Sequence, residues 1–155
     1  MKCENLRSLP SSICRLKYLE ELNLSGCSNL ETFPEIMEDM ECLNRLNLSG
    51  TCIKELPSSI EFLKHLVDLL LVKCENLRSL PSSICRLKYL EELNFSGCSN
   101  LETFPDMEDM ECLKWLNLSG TCIKELPSTL LWSFLFKWFK TVEVQFLFKL
   151  FFSLF

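Results

Sequence analysis

The stretch Leu19-Glu20-Glu21-Leu22-Asn23-Leu24 decides how this chain folds, because its leucines follow the order L-x-x-L-x-L. Successive side chains of a strand point to opposite faces, so Leu22 and Leu24 are predicted to point inward. Glu21 and Asn23 then point outward. The same pattern begins again, with Phe95 in place of one leucine, at Leu43, Leu66, Leu90 and Leu113. The sequence therefore predicts five short strands, at spacings of 24, 23, 24 and 23 residues.

Glycine, proline and a small residue occupy fixed slots between these strands. All four glycines follow a serine after the leucine pattern, and all six prolines follow a leucine or phenylalanine further along each unit. Proline fixes φ and favours an extended residue before it, so each unit is predicted to return in an extended limb before a short turn or helix. The segment Ser58-Ser59-Ile60-Glu61 has the spacing of a capping box.

Each strand is also followed by a cysteine or a threonine, which is predicted to be buried in the turn. There a small side chain can pack or form a hydrogen bond with the backbone of the next coil. This explains Cys27, Cys74 and Cys98 without redox chemistry.

A period of 20–29 residues with this pattern is the signature of a leucine-rich repeat. One repeat cannot bury its leucines alone, so stability arises from stacking on neighbouring repeats. The predicted fold is an α/β leucine-rich-repeat solenoid, with a curved parallel sheet and short helices or turns on the convex side. The expected stack spans residues 1–129, with repeats near 19–42, 43–65, 66–89 and 90–112 and partial units at both ends.

A longer duplication contains these repeats, because residues 2–60 return almost unchanged as residues 73–130. Recurrence of a residue in both copies is therefore not independent support for its importance. Differences between the copies are more informative, and two of them are adjacent: Asn44 becomes Lys114 and Arg45 becomes Trp115.

Composition and charge narrow the possible functions. The 155 residues carry a formal net charge of -5, which argues against a general nucleic-acid binder that needs a basic surface. The ten cysteines have no C-x-x-C pair, which argues against a zinc site. The first residues contain no apolar stretch of signal-peptide length, so a reducing compartment is expected.

Three segments resemble one protein family closely: Cys-x-x-Leu-x-x-Leu-Pro-Ser-Ser-Ile at 3–13, Leu19 to Pro34, and Leu46 to Pro57. They are similar to the leucine-rich repeats of plant intracellular disease-resistance receptors, which also have a Toll/interleukin-1-receptor-like domain and a nucleotide-binding domain. The resemblance implies a protein-recognition and autoinhibitory module in the cytoplasm or nucleus. Its partners would be a pathogen effector, a guarded host protein or the receptor's own nucleotide-binding domain.

The chain departs from complete receptors of this family. It has no phosphate-binding Gly-x-x-x-x-Gly-Lys-Ser/Thr loop, so nucleotide binding and NAD cleavage are not carried over. Met1-Lys2-Cys3 corresponds to Val72-Lys73-Cys74, which follows a strand, so a fragment or truncated relative is expected. The alternative function is a free-standing leucine-rich-repeat scaffold or adaptor, with membrane association through its tail as an option.

Outward strand positions are the candidate protein contacts on the predicted concave face. Trp115 ranks first, because exposed tryptophan is a good interface anchor, and Arg45 second. The full set is Glu20, Glu21, Asn23, Asn44, Arg45, Asn47, Val67, Asp68, Leu70, Glu91, Glu92, Asn94, Lys114, Trp115 and Asn117.

No catalytic, metal or cofactor site is predicted. His65 is the single histidine, and no residue near it in sequence would orient it as the base of a cysteine nucleophile. The four Asn-x-Ser sequons are interpreted as products of the repeat pattern rather than as glycosylation sites.

The last 26 residues, 130–155, form an apolar tail that departs from the repeat pattern and carries eight of the twelve phenylalanines. Lysines and a glutamate interrupt it, which argues against a membrane-spanning helix. Three interpretations remain: interfacial membrane contact, a degenerate last strand with Phe136, Phe139 and Thr141 in the strand slots, and non-repeat sequence from a truncated or mis-spliced gene. The last is preferred.

Overall fold

The computed structural model of the chain describes residues 3, 5–106, 110, 112–125, 127 and 128. Within them, successive coils contribute one short strand each to a single open sheet, whose strands are parallel and follow one another in chain order. The strands are β1 (Glu21–Asn23), β2 (Arg45–Asn47), β3 (Asp68–Leu70), β4 (Glu92–Asn94) and β5 (Trp115–Asn117). The leucine-rich-repeat fold and its five strands are confirmed, whereas the apolar tail lies outside the described residues.

The register of the sheet places the central leucine of each strand opposite the next. Leu22 pairs with Leu46, and the row continues through Leu69 and Leu93 to Leu116. Leu69 has 0% of its surface exposed, because the coils on both sides cover it. Leu22 is only partly buried, since among the described residues its strand has a neighbour on one side alone. Burial thus depends on stacking, as predicted.

The short helices are 3-10 helices of five residues: η1 (Ser11–Arg15), η2 (Ser58–Phe62) and η3 (Ser82–Arg86). Each follows a proline with ψ close to 145°, so the extended limb ends where the helix begins. A tight turn then connects each helix to the next strand, as in the bond of 3.0 Å from Leu66 N–H to the Leu63 carbonyl. The i to i+3 pattern fits the few residues that one coil allows.

The predicted capping box at η2 is wrong. Its N-cap is Pro57, which makes no side-chain capping bond. The carboxylate of Glu35, one coil earlier, instead accepts the Ser59 N–H at 3.2 Å and the Ser59 hydroxyl. These bonds lower the pKa of Glu35, with the hydroxyl contributing most. A neighbouring coil therefore caps this helix, and sequence spacing within one coil does not reveal it.

A row of small polar side chains holds the coils together after the strands. The Cys74 thiol donates to the Leu48 carbonyl at 3.1 Å, and the Cys98 thiol donates to the Leu71 carbonyl at 2.9 Å. Thr51 makes the corresponding bond within its own coil at 2.7 Å. The predicted burial is thus confirmed for both thiols, but their bonds run to the backbone of the preceding coil rather than of the next one. A hydrogen bond to Cys74, together with burial, raises the pKa of Cys98.

The turn after each strand requires a left-handed backbone. The four glycines have φ between 69° and 76°, which glycine adopts without steric cost. In the third coil the same slot holds Lys73, whose φ is 57°. The backbone geometry is therefore the same with or without glycine, and Lys73 is the strained exception.

Candidate protein-binding surface

The sheet brings the predicted contact residues together on its outward side, and this surface is called the concave face. Its fifteen residues form three columns that run across the strands. The first column comprises Glu20, Asn44, Val67, Glu91 and Lys114. The second comprises Glu21, Arg45, Asp68, Glu92 and Trp115, and the third Asn23, Asn47, Leu70, Asn94 and Asn117. All fifteen have some exposed surface.

The second column is a row of charges centred on one ion pair. The Arg45 guanidinium donates from Nε at 2.8 Å and from Nη2 at 2.7 Å to the Asp68 carboxylate. Glu21 lies on one side of this pair and Glu92 on the other, because the strands are in register. Burial and the Asp68 carboxylate raise the pKa of Glu92, and Arg45 opposes them. One arginine therefore stands among three carboxylates.

The first column adds a second ion pair, between Lys114 and Glu91 at 2.7 Å. Its other carboxylate, Glu20, forms no ion pair with any residue that the structure describes. The backbone of this column also joins neighbouring coils, because the Glu20 carbonyl accepts the N–H groups of Asn44 and Arg45. These side chains therefore project from a hydrogen-bonded frame.

The third column has a structural task that the sequence did not reveal. The Asn47 side-chain oxygen accepts the N–H of Ser49 at 3.0 Å, and the other three asparagines make the same bond. Asparagine side chains commonly bond to backbone two residues on in this way. Leu70 lacks this bond, and there the Val72 N–H donates to the Ser49 hydroxyl at 3.1 Å. Asparagine thus has a structural reason to recur.

Trp115 lies at the far end of the second column, with 37% of its surface exposed. It stands beside Glu92 in the register of β4 and β5. Large, partly exposed aromatic rings are typical of energetically important interface positions. The structure therefore leaves both first-ranked residues, Trp115 and Arg45, accessible to a partner.

A row of aromatic side chains beside the concave face was not predicted. Tyr18 and Tyr89 occupy the same slot, one residue before the leucine that opens the strand pattern, and are 91% and 56% exposed. His65 occupies this slot one coil before Tyr89, and the two rings stack with centroids 5.6 Å apart. The slot also holds two cysteines, so it does not recur as one residue type. Comparing residue size across coils would have revealed it.

Ion pairs away from the concave face connect neighbouring coils. Their partners are 23 to 25 residues apart, about one repeat: Glu31 with Lys54 at 3.2 Å, Asp39 with Lys64 at 2.6 Å, and Glu61 with Arg86 at 2.5 Å. Such exposed pairs contribute about 0.2–1 kcal/mol each.

The thiols of this chain form no disulfides. All ten cysteines lie in the described part of the chain and are free thiols, several of them fully buried. Among the described residues, no group of three or more histidine, cysteine and acidic side chains is arranged to hold a metal ion. No helix within the described ranges is long and apolar enough to cross a membrane.

Solved structures share this architecture. The leucine-rich repeat domain of the type III effector XopL is 28% identical with a TM-score of 0.68, and the match covers 78% of this chain and 44% of that domain's chain. A TDR receptor is 24% identical with a TM-score of 0.53, and the match covers 79% and 26%. The chain therefore spans less than half of either structure. No curated protein gives a significant match.

The sequence also matches a defined family over more than half of its length. Residues 15–104 match the leucine-rich repeats of the disease resistance protein RPS4B-like family. The matched range begins in η1 and extends past β4, so it includes most of the concave face. The chain therefore belongs to the family of leucine-rich repeats of RPS4B-like disease resistance proteins.

Proposed function

We propose that this chain is the protein-recognition and autoinhibitory module of a plant disease-resistance receptor that acts in the cytoplasm or nucleus. It carries out no catalysis itself. Residues 1–129 form the repeat stack, and residues 130–155 are a tail outside it. The partners are a pathogen effector, a guarded host protein or the receptor's own nucleotide-binding domain.

The observation that carries this proposal is the contrast between the two module copies. They keep the inward leucine of the strand, Leu46 and Leu116, but differ at the adjacent outward positions, where Asn44 and Arg45 are replaced by Lys114 and Trp115. A scaffold needs the inward residues to stack its coils. Outward residues that differ between otherwise similar coils alter what the surface binds, which supports recognition on the concave face.

The recognition part is tested by affinity capture of the full chain from plant cells, followed by mass spectrometry. The test variant is Arg45→Glu, and the matched control is Lys54→Glu. Both residues are exposed cations that pair with an acid of a neighbouring coil, but Lys54 lies off the concave face. We expect Arg45→Glu to lose specific partners that Lys54→Glu retains. Equal capture by both variants would refute recognition on this face.

The autoinhibitory part is tested by expressing the chain with a family receptor that lacks its own repeats and triggers cell death in leaves. We expect the wild-type chain to reduce cell death and Arg45→Glu to reduce it less. Partner capture without any effect on cell death would favour the alternative function, a free-standing scaffold or adaptor.

A further inference from the structure

The concave face has an excess of negative charge. Its charged residues are five carboxylates and two cations: Glu20, Glu21, Asp68, Glu91 and Glu92 against Arg45 and Lys114. After the two ion pairs on this face are formed, Glu20, Glu21 and Glu92 have no ion-pair partner among the described residues. Exposed side chains of opposite charge on a partner would compensate them and speed its association.

The glutamates of this face lie in two groups with a fixed separation, and Glu91 is the one among them that forms an ion pair, with Lys114. Glu20 and Glu21 stand at β1, and Glu91 and Glu92 occupy the same positions at β4. The register joins Glu21 to Glu92 across three strand intervals, which at about 4.8 Å each amount to about 14 Å. An extended peptide covers this distance in about four residues, at roughly 3.3 Å per residue.

The charges between the two groups are different. Arg45 and Asp68 stand there and form an ion pair, so the middle of the face carries no net charge. A third cation of the partner over this pair would find no carboxylate without an ion-pair partner. Two cations separated by uncharged residues match the charges of the face better than a segment that is basic along its whole length.

Exposed aromatic rings accompany each glutamate group. Tyr18 is two residues before Glu20, and Tyr89 is two residues before Glu91. Trp115 flanks the second group on the next strand. Trp115 is the ring that the register places beside a carboxylate, Glu92, whereas one face of the Tyr89 ring is covered by His65. A cation over an exposed aromatic face is attracted by the ring as well as by nearby carboxylates. The aromatic residues are a second observation, independent of the acidic residues, that favours a cationic ligand.

We propose that the concave face binds an extended segment of a partner protein that carries two basic residues four positions apart, with uncharged residues between them. One basic side chain binds at Glu20 and Glu21, and the other at Glu92 beside Trp115, next to the ion pair of Glu91 and Lys114. Arginine suits both positions better than lysine, because its planar guanidinium pairs with a carboxylate through two bonds and stacks on aromatic rings. This inference rests on the proposed function, since it assigns the chemistry of a partner of that face.

The spacing is tested by fluorescence anisotropy with the full chain and two labelled peptides of the same composition. The first is Gly-Arg-Ser-Gln-Ser-Arg-Gly, in which the arginines are four positions apart, and the second is Gly-Ser-Arg-Arg-Gln-Ser-Gly. We expect the first to bind about tenfold more tightly, since it makes both charge-assisted contacts and the second makes one. Equal binding, or no binding by either peptide, would overturn the proposal.

The location is tested with three double variants of the full chain. Glu20→Gln with Glu21→Gln, and Glu91→Gln with Glu92→Gln, should each weaken binding of the spaced peptide about tenfold, as loss of one charge-assisted contact predicts. The matched control is Glu55→Gln with Glu75→Gln, which removes the same charge from exposed residues off the concave face and should leave binding unchanged. An equal loss in the control would mean that overall acidity attracts the peptide, and the proposal would fail.

The two proposals fail separately. If no peptide binds but Arg45→Glu still loses partners that Lys54→Glu retains, recognition on the concave face stands and the basic segment is excluded. If the spaced peptide binds as expected but both variants capture the same proteins, the peptide site exists and the proposed function fails.

Discussion

The duplication allows burial to be tested with an internal control, through the changes Leu93→Ala and Leu22→Ala. Both leucines stand in the same local sequence, Leu-Glu-Glu-Leu-Asn, and both are the central residue of a strand. Leu93 is 0% exposed between Leu69 and Leu116, whereas Leu22 is only partly buried, with Leu46 on one side. Local propensity is therefore constant, and stacking is the variable.

The expected magnitudes follow from this difference. Leu93→Ala removes a fully buried side chain and leaves a cavity that rigid neighbouring coils cannot fill, so we expect a loss of about 3 kcal/mol in the free energy of unfolding. Leu22→Ala removes fewer buried contacts, and we expect a loss of about 1 kcal/mol. The difference, about 2 kcal/mol, is well above the error of a mutant comparison.

Urea denaturation followed by circular dichroism measures both losses. With a slope of roughly 1–3 kcal/mol per molar urea, the midpoint of Leu93→Ala should lie about 1 M or more below that of wild type, and that of Leu22→Ala much closer to it. Matching native spectra for the three proteins are the control for folding. Equal midpoints for the two variants would refute the reasoning, because they would mean that another segment or molecule covers Leu22 in solution.

Three further predictions concern the thiols, the turns and the carboxylates. Cys3 and Cys74 both stand in Lys-Cys-Glu-Asn-Leu, but Cys3 is exposed and Cys74 is buried. A thiol reagent on the native chain should therefore label Cys3 quickly and Cys74 only after unfolding, as measured by peptide mass spectrometry. Equal labelling rates would contradict the burial of Cys74. Lys73→Gly should stabilise the fold by about 1 kcal/mol and raise its melting temperature, because glycine adopts the left-handed backbone without strain. Gly97→Lys should lower the melting temperature for the same reason. A lower melting temperature for Lys73→Gly would contradict the strain at Lys73. Glu92→Gln should stabilise the fold at pH 7, because a carboxyl whose pKa is raised by folding costs stability once it is ionised. This advantage should shrink as the pH falls through the raised pKa toward the ordinary carboxyl range, so an advantage independent of pH in urea titrations would contradict it.

The inward side of this fold was predictable because each coil repeats the same burial problem. Leu46 and Leu69 are fully buried between neighbouring coils, and the period of the leucines alone identifies such positions. The burial of the thiols was predictable for the same reason, since Cys74 and Cys98 fill one slot in successive coils. A constraint that acts on every coil leaves the same residue in every coil.

Contacts that occur once were not predictable from the period. Glu35 caps η2 from one coil away, and nothing within Ser58-Ser59-Ile60-Glu61 indicates this. The stacked rings of His65 and Tyr89 share a slot but not a residue type, so a search for recurring residues passes over them. Binding at the concave face depends on the surface of the partner as well as on this chain, so the sequence of this chain alone does not determine it.

The register of the duplicated module has a consequence for how such a chain changes its length. Leu22 and Leu93 stand in the same position of their strands, three coils apart, so the module contains a whole number of coils. Unequal exchange between the two nearly identical copies would insert or remove three complete coils, and every remaining leucine would keep its neighbours. The outward positions near Arg45 and Trp115 would be copied with them and then diverge freely. Gene recombination can therefore enlarge or shorten the surface of this protein without misaligning its interior.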